Sequence, residues 1–207
     1  MGRKRIVTRD AILDAAEEAI GNGRGHHLSL QLVAETANIT KGSIAHNFKT
    51  KDELILAVFS REAVRFHREA AIAAEAENTE PKQPDRKMPE RDAFGYKADN
   101  DPLDLARGWI AATRRENGAA ISKAAGLIIN MMESESRRQA IAASYGRVLD
   151  EIDIATPDGR AAFVAFMAVE GISLLRGFGI LELSEDQWKN CLDIIREECL
   201  EKVVHDS

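Results

Sequence analysis

Between Thr40 and Lys51 stands a dense set of short polar and basic side chains: Thr40, Lys41, Ser43, His46, Asn47 and Lys51. Each can donate a hydrogen bond and most can also accept one. That equipment suits base edges and phosphate oxygens better than the making or breaking of covalent bonds. Gly42, in their midst, lets a backbone approach a ligand closely. Ile44 and Phe48, four apart, would face a core on the opposite side of the same helix. Lys51 stands near the start of the next helix, where positive charge and outward-pointing amides together suit a phosphate. A polar, solvent-facing helix in an ordinary bundle would look similar, and local chemistry alone leaves both readings open.

The rest of the chain offers little catalytic chemistry. The five histidines (His26, His27, His46, His67, His205) are scattered, and the adjacent His26-His27 has no Cys or carboxylate at ligand spacing, so no metal is expected. A glycine-rich phosphate loop and a nucleophile elbow are both missing, so neither a cofactor nor an enzymatic activity is expected. Cys191 and Cys199 lie about 12 Å apart along one expected helix, too far for a disulfide, and read as buried thiols.

Charge is unevenly spread over the 207 residues. Residues 1–51 carry eight Lys/Arg against five Asp/Glu, whereas the remainder carries 20 against 29. Either this imbalance is chance, or a basic N-terminal module meets a polyanion while an acidic body does not. No uncharged apolar run approaches the roughly 18 residues of a membrane span, and Ala161–Val169 is cut short by Glu170. Basic Arg3, Lys4 and Arg5 are followed by Asp10, Asp14, Glu17 and Glu18 where a signal peptide would need apolar residues. A cytoplasmic location, with no membrane partner, is the expectation.

The elements that must position the polar cluster read as helices nearly throughout. Thr8 caps a first helix whose inner face is Ile12, Leu13, Ala16, Ala19 and Ile20, closed by Gly21-Asn22-Gly23. Ser29 caps a short helix carrying Leu30, Val33, Ala34 and Ala37. Asn38-Ile39 makes a turn, and Thr40 caps a second short helix to about Asn47. Thr50 and Glu53 form a capping box that opens a long helix fading near Glu77. Residues 78–102, with Pro81, Pro84, Pro89 and Pro102, read as a loop. Helical pattern returns over Leu103–Arg115, Ala119–Met132 and Ser134–Asp150. It continues from the Thr156-Pro157 cap to about Phe178, and then from a Ser184/Gln187 capping box along Trp188, Cys191, Leu192, Ile195, Cys199 and Val203. No strand is expected; the fold class is all-α.

Two short helices joined by a tight turn beside a third make a candidate helix-turn-helix. Residues 9–59 resemble the DNA-binding domain of the tetracycline-repressor (TetR) family of bacterial transcriptional regulators. The resemblance rests on Arg9-x-x-Ile12-Leu13-x-Ala15-Ala16 and Leu28-Ser29-Leu30-x-x-Val33-Ala34. It continues in Ala37-Asn38-Ile39-Thr40-Lys41-Gly42-Ser43-Ile44 and Phe48-Lys49-x-Lys51-x-x-Leu54. It implies about nine helices per subunit. A DNA-binding domain over 1–52 would stand on a dimerisation and effector-binding body over 53–207, acting as a homodimer on a palindromic double-stranded operator. By position, Ser29, Gln31, Thr40, Lys41, Gly42, Ser43, His46, Asn47 and Lys51 are the implied DNA contacts. Two positions depart from the family: Asn38 replaces the usual turn glycine, and Ala45 replaces the usual tyrosine that supports a phosphate contact. The arm at Arg3, Lys4 and Arg5 either reaches a groove or is a free tail.

In the body, Trp109, Met131, Met132, Tyr145, Phe163, Phe166 and Met167 either fill the core or line a pocket for a small-molecule effector. Glu170 and Arg176, set in an otherwise apolar helix, must be paired: with each other, across a dimer contact, or with a ligand. The last two helices carry the most continuous apolar surface, so Gly171, Leu175, Phe178, Trp188, Leu192 and Ile195 are the expected dimer interface.

Overall fold

The computed structural model describes residues 8–22, 27–77 and 101–202. Among these, nine α-helices and no strand are found: α1 (Arg9–Gly21), α2 (Leu30–Thr36), α3 (Lys41–Asn47), α4 (Lys51–Glu77), α5 (Pro102–Arg115), α6 (Gly118–Met132), α7 (Glu135–Asp150), α8 (Pro157–Gly177) and α9 (Glu185–Arg196). A π-helical turn, Glu197–Glu201, extends the last helix. The arm at Arg3–Arg5, His26, the proline-rich stretch 78–100, Val203 and His205 lie outside the described residues.

Side chains that cannot continue a helix start most of these. Thr8, Ser29, Thr40, Asn117, Ser134 and Thr156 each accept a hydrogen bond from a first-turn amide, relieving donors that have no partner within the helix. Pro102 and Pro157 sit in the first turn, where a missing N–H costs nothing. Ser184 and Gln187 form the reciprocal box. At α4 the box expected from Thr50 and Glu53 is offset. Thr50 Oγ1 accepts from the Glu53 amide at 3.1 Å, but the Glu53 carboxylate reaches back to the amide of Lys49, at 2.8 Å, and not to that of Thr50.

Two apolar cores result. One gathers Ile12, Ala16, Leu28, Val33, Ile44 and Phe48 with Leu54, Ile55 and Val58 of α4, and draws in Leu127, Met131 and Ile141 from α6 and α7. The other is centred on Trp109, Ile110, Phe166, Val169, Trp188 and Leu192. The 27-residue α4 belongs to both, because Ala70 and Phe66 lie in the second. Where α4 crosses α5, Gly108 makes the approach possible: a Cβ there would stand 2.3 Å from the Ala70 carbonyl oxygen and 2.7 Å from Ala74 Cβ. Cys191 and Cys199 are free and half-buried rather than fully buried, and burial pushes the Cys199 thiol up.

Trp188 and Leu192, expected in a dimer contact, are both 0% exposed inside the subunit. They occupy the inner stripe of α9 and pack on α8, so neither is available to a partner. Ile195 is half-buried against the same core.

Candidate nucleic-acid interface and effector cavity

The turn between α2 and α3 is fixed by backbone bonds. Asn38 takes a left-handed conformation, φ 52°. The Ile39 amide donates to the Ala34 carbonyl at 2.9 Å and the Asn38 amide to Glu35 at 3.1 Å, a Schellman closure. Asn tolerates this conformation better than other non-glycine residues, which accounts for the departure from glycine. Ile44 and Phe48, both fully buried, then set the rotation of α3, and the Arg9 guanidinium lies 4.6 Å over the Phe48 ring.

That rotation leaves Lys41, Gly42, Ala45 and His46 exposed, with Ser43 and Asn47 half-buried beside them. Thr40 Oγ1 accepts from the Ser43 amide at 3.2 Å and lies 3.0 Å from Ser43 Oγ. Asn47 Nδ2 donates to the Ser43 carbonyl. Ser29 Oγ is engaged as the cap of α2, and Gln31 donates to Glu35 at 2.8 Å. Most of the expected contact residues therefore share one surface, but several have local partners, and His46 and Lys41 project most freely from it. Ala45 adds no polar group where a tyrosine would have stood.

Lys51 is not free. Its Nζ donates to Glu133 Oε2 at 2.6 Å, and His27 Nδ1 lies 2.7 Å from Glu133 Oε1. Burial alone would raise this carboxyl, yet hydrogen bonds from Lys51 and His27 hold it at about 2. Next to it Arg137, its side chain 4% exposed, reaches Asp52 at 3.2 Å and Glu133 at 3.3 Å, and donates to the Asn130 carbonyl. Asn130 in turn accepts from the Leu28 amide at 2.8 Å. This polar joint fastens the helix-turn-helix region to α6 and α7; nothing in the sequence pattern singled out Glu133, Asn130 or Arg137.

A cavity of about 170 Å³ opens between α4, α5, α6, α7 and α8, with the C-terminal part of α1 at one edge. Phe59, Ala63 and Phe66 of α4 form one wall, Ile121, Ala125 and Ile128 of α6 another. At its buried end Glu170 Oε1 accepts from Trp109 Nε1 at 2.9 Å and Glu170 Oε2 from Tyr145 Oη at 2.6 Å. Burial pushes the Glu170 carboxyl up, and burial together with the Glu170 charge pushes the Tyr145 phenol up. Ion pairs line the solvent side. Arg61 bridges Asp14 and Glu17, Lys123 lies 3.1 Å from Glu62 and 3.7 Å from Glu17, and Arg65 joins Glu62, Glu69 and Glu116.

Of the residues expected at a pocket, Trp109 and Tyr145 line this cavity. Phe166 stands behind them, edge-on to Trp109 with ring centroids 5.0 Å apart. Met131 is fully buried in the N-terminal core, and Met132, Phe163 and Met167 are exposed. Phe163 and Met167 lie only about 60° and 100° around α8 from the buried Phe166, on the flank where the packing against the other helices ends. Phe59, Ala63 and Phe66 of the α4 wall were not among the expected pocket residues. Their i, i+4, i+7 spacing was the available signal.

Glu170 and Arg176 do not pair with each other. Arg176 reaches Glu185 at 2.6 Å and stacks on Trp188 with its guanidinium carbon 4.6 Å from the ring centroid. Six turns of α8 place Phe163, Val164, Met167, Gly171, Leu175 and Phe178 on an exposed apolar face, and a Cβ at Gly171 would meet nothing within 4 Å. Among the described residues no helix is long and apolar enough to cross a membrane, and no three His, Cys, Asp or Glu side chains converge as a metal site would require.

An all-α chain with an N-terminal helix-turn-helix and a cavity-bearing helical body is the architecture of a one-component DNA-binding regulator. Residues 12–58 match the sequence family described as bacterial regulatory proteins, tetR family, and residues 104–199 match the tetracyclin repressor-like C-terminal domain. The chain belongs to the TetR family of DNA-binding transcriptional regulators. No curated protein matches it in sequence. Its fold is similar to that of a TetR-like transcriptional regulator from Rhodococcus sp. RHA1, with 18% identity, TM-score 0.60 and coverage of 98% of this chain and 99% of that one. It is also similar to the fatty acid degradation regulator FadR from Bacillus halodurans, at 14% identity and TM-score 0.61 over 96% and 97% of the two chains. The multidrug binding protein EbrR, complexed with imidazole, is similar at 21% identity and TM-score 0.57 over 94% and 96%.

Proposed function

We propose that this protein is a cytoplasmic homodimeric repressor that leaves a palindromic operator when a small molecule enters the cavity between α4 and α8. The single observation that carries the reading is that α4 serves both ends. Its first residues close the helix-turn-helix core, and Phe59, Ala63 and Phe66 form a wall of the cavity. A ligand that prefers one placement of α4 therefore shifts the population of DNA-competent dimers, a coupling of typically about 1–3 kcal/mol. Residues 1–52 act as the DNA-binding unit and 53–207 as the dimerising and effector-binding unit. Ser29, Gln31, Thr40, Lys41, Gly42, Ser43, His46, Asn47 and Lys51 supply the DNA contacts. The exposed face of α8, with Gly171, Leu175 and Phe178, supports an isologous contact between two copies. The protein works by binding and release, without catalysis.

Fluorescence anisotropy with DNA from the chain's own promoter region tests this. Binding should weaken steeply as salt rises, and a compound that raises the melting temperature should lower DNA affinity. Salt-independent binding, or none, would remove the reading.

A further inference from the structure

The buried end of the cavity carries a charge problem that the subunit does not solve by itself. Trp109 Nε1 can only donate, and Tyr145 directs its one hydrogen at Glu170 Oε2, so both partners are arranged around an acceptor. The phenol contact, at 2.6 Å, is a short hydrogen bond to a carboxyl oxygen. Both donors are neutral, and among the described residues no ion pair reaches Glu170. One turn further along the same face of α8, Ser173 Oγ is buried, lines the cavity and has no hydrogen-bond partner among the described residues. Phe66 stands edge-on to Trp109 with ring centroids 4.8 Å apart, and Phe59 lines the cavity with them.

The geometry points to a protonated amine on an aromatic or aliphatic body as the ligand class, its ammonium set between Glu170 and Ser173 and its body against Phe59, Phe66 and Trp109. This rests on the reading of the cavity as the effector site. A carboxylate without a cationic partner is costly in a half-buried place, and Glu170, with both oxygens held by Trp109 and Tyr145, has already lost part of its water before a cation arrives. Aromatic neighbours add cation–π attraction. An anionic ligand would meet the Glu170 carboxyl itself; the lining cations Arg65 and Lys123 are each already held by more than one carboxylate, and His67, edge-on to Trp109 with ring centroids 5.2 Å apart, is the basic side chain nearest that end. Among the charged residues lining the cavity, Glu17, Glu62, Glu116 and Glu170 outnumber Arg65 and Lys123, which favours the approach of positive charge. The volume, close to the cavity of about 150 Å³ that accepts benzene, suits one or two rings.

Titration calorimetry of the full chain with three probes of one shape tests the assignment: 1-naphthylmethylamine, 1-naphthylmethanol and 1-naphthoate. The amine should bind at least tenfold more tightly than the alcohol, and the naphthoate least well. Glu170→Gln should erase the amine's advantage over the alcohol, and Ser173→Ala should weaken the amine several-fold. If Glu170→Gln does not fold, the ranking on the unaltered chain decides alone. An alcohol as tight as the amine, or a naphthoate tighter than both, overturns the ligand class while the cavity reading stands. Failure of all three to bind removes the cavity reading and the ligand class with it.

Discussion

Lys51 Nζ and Glu133 Oε2 stand 2.6 Å apart, joining the first residue of α4 to the residue that closes α6. The lysine proposed to meet a DNA phosphate is thus already held by a carboxylate of the body, so DNA would have to compete with Glu133 for one ammonium.

Glu133→Gln should therefore tighten operator binding, and Lys51→Ala should weaken all sequences alike while lowering the salt slope by about one unit. In the Lys51→Ala background, Glu133→Gln should add nothing to affinity. Anisotropy titrations over a range of salt give all three values. A full effect of Glu133→Gln without Lys51 would mean that the two residues act independently.

His46 should read a base. It is exposed on α3, whose rotation is set by Ile44 and Phe48, and it can both donate and accept. His46→Ala should lose about 1–3 kcal/mol at one symmetric pair of operator positions, measured against every single-base variant. Ser43→Ala should also disturb the cap at Thr40, and so combine a base effect with uniform weakening. Equal weakening of every variant by His46→Ala would assign His46 to phosphate.

Leu175→Glu and Met167→Glu should yield monomers, because the two side chains are 43% and 40% exposed on the subunit surface and a charge there disturbs only a partner. Ile195→Glu is a poor test of the same contact: Ile195 packs on its own core, so melting temperature should fall along with assembly. Sedimentation and melting curves separate the cases. Dimers that survive Leu175→Glu would place the contact elsewhere.

Two carboxylates should leave opposite marks on stability as pH changes. Glu133 is held at about 2, below its unfolded value of about 4.3, so its contribution is present above that value and is lost as pH falls toward 2. Glu170 is raised, so the folded state keeps its proton longer; its contribution is whole below about 4.3 and is lost as pH rises through the folded value. Melting temperature of Glu133→Gln should thus approach that of the natural chain in acid. The difference in favour of Glu170→Gln should widen as pH rises.

Gly108→Ala should cost about 1–3 kcal/mol or more, since the added carbon meets the Ala70 carbonyl at 2.3 Å and a backbone oxygen cannot turn aside. Chemical denaturation measures this directly, and an unchanged midpoint would mean that α4 and α5 separate at little cost.

Caps and periodicity made the helices readable. Thr8, Ser29, Thr40, Thr156 and Ser184 each mark a start by a local rule, so the all-α architecture followed from residues a few positions apart. The face of α3 was readable for the same reason, since Ile44 and Phe48 fix it within one turn. Contacts between distant segments were not. The Glu133 joint connects residues 82 and 106 positions apart, and the Trp109–Glu170 bond spans 61. On α8, apolar residues on every side hid which of Phe163, Phe166 and Met167 points inward, and only packing against α5 and α6 distinguishes them.

The Gly108 crossing also sets a mechanical ratio. At 1.5 Å per residue α4 is about 40 Å long, and the crossing grips it at Ala70 and Ala74, roughly 30 Å from Lys51. The cavity wall at Ala63 lies only about 13 Å from that grip. A molecule that pushes the wall outward by about 1 Å about this fulcrum swings the start of α4 by more than twice as much. In the proposed dimer two subunits would do so at once, on half-sites that tolerate only a spacing of about one DNA turn. A small displacement in the body thereby becomes a misfit at the groove.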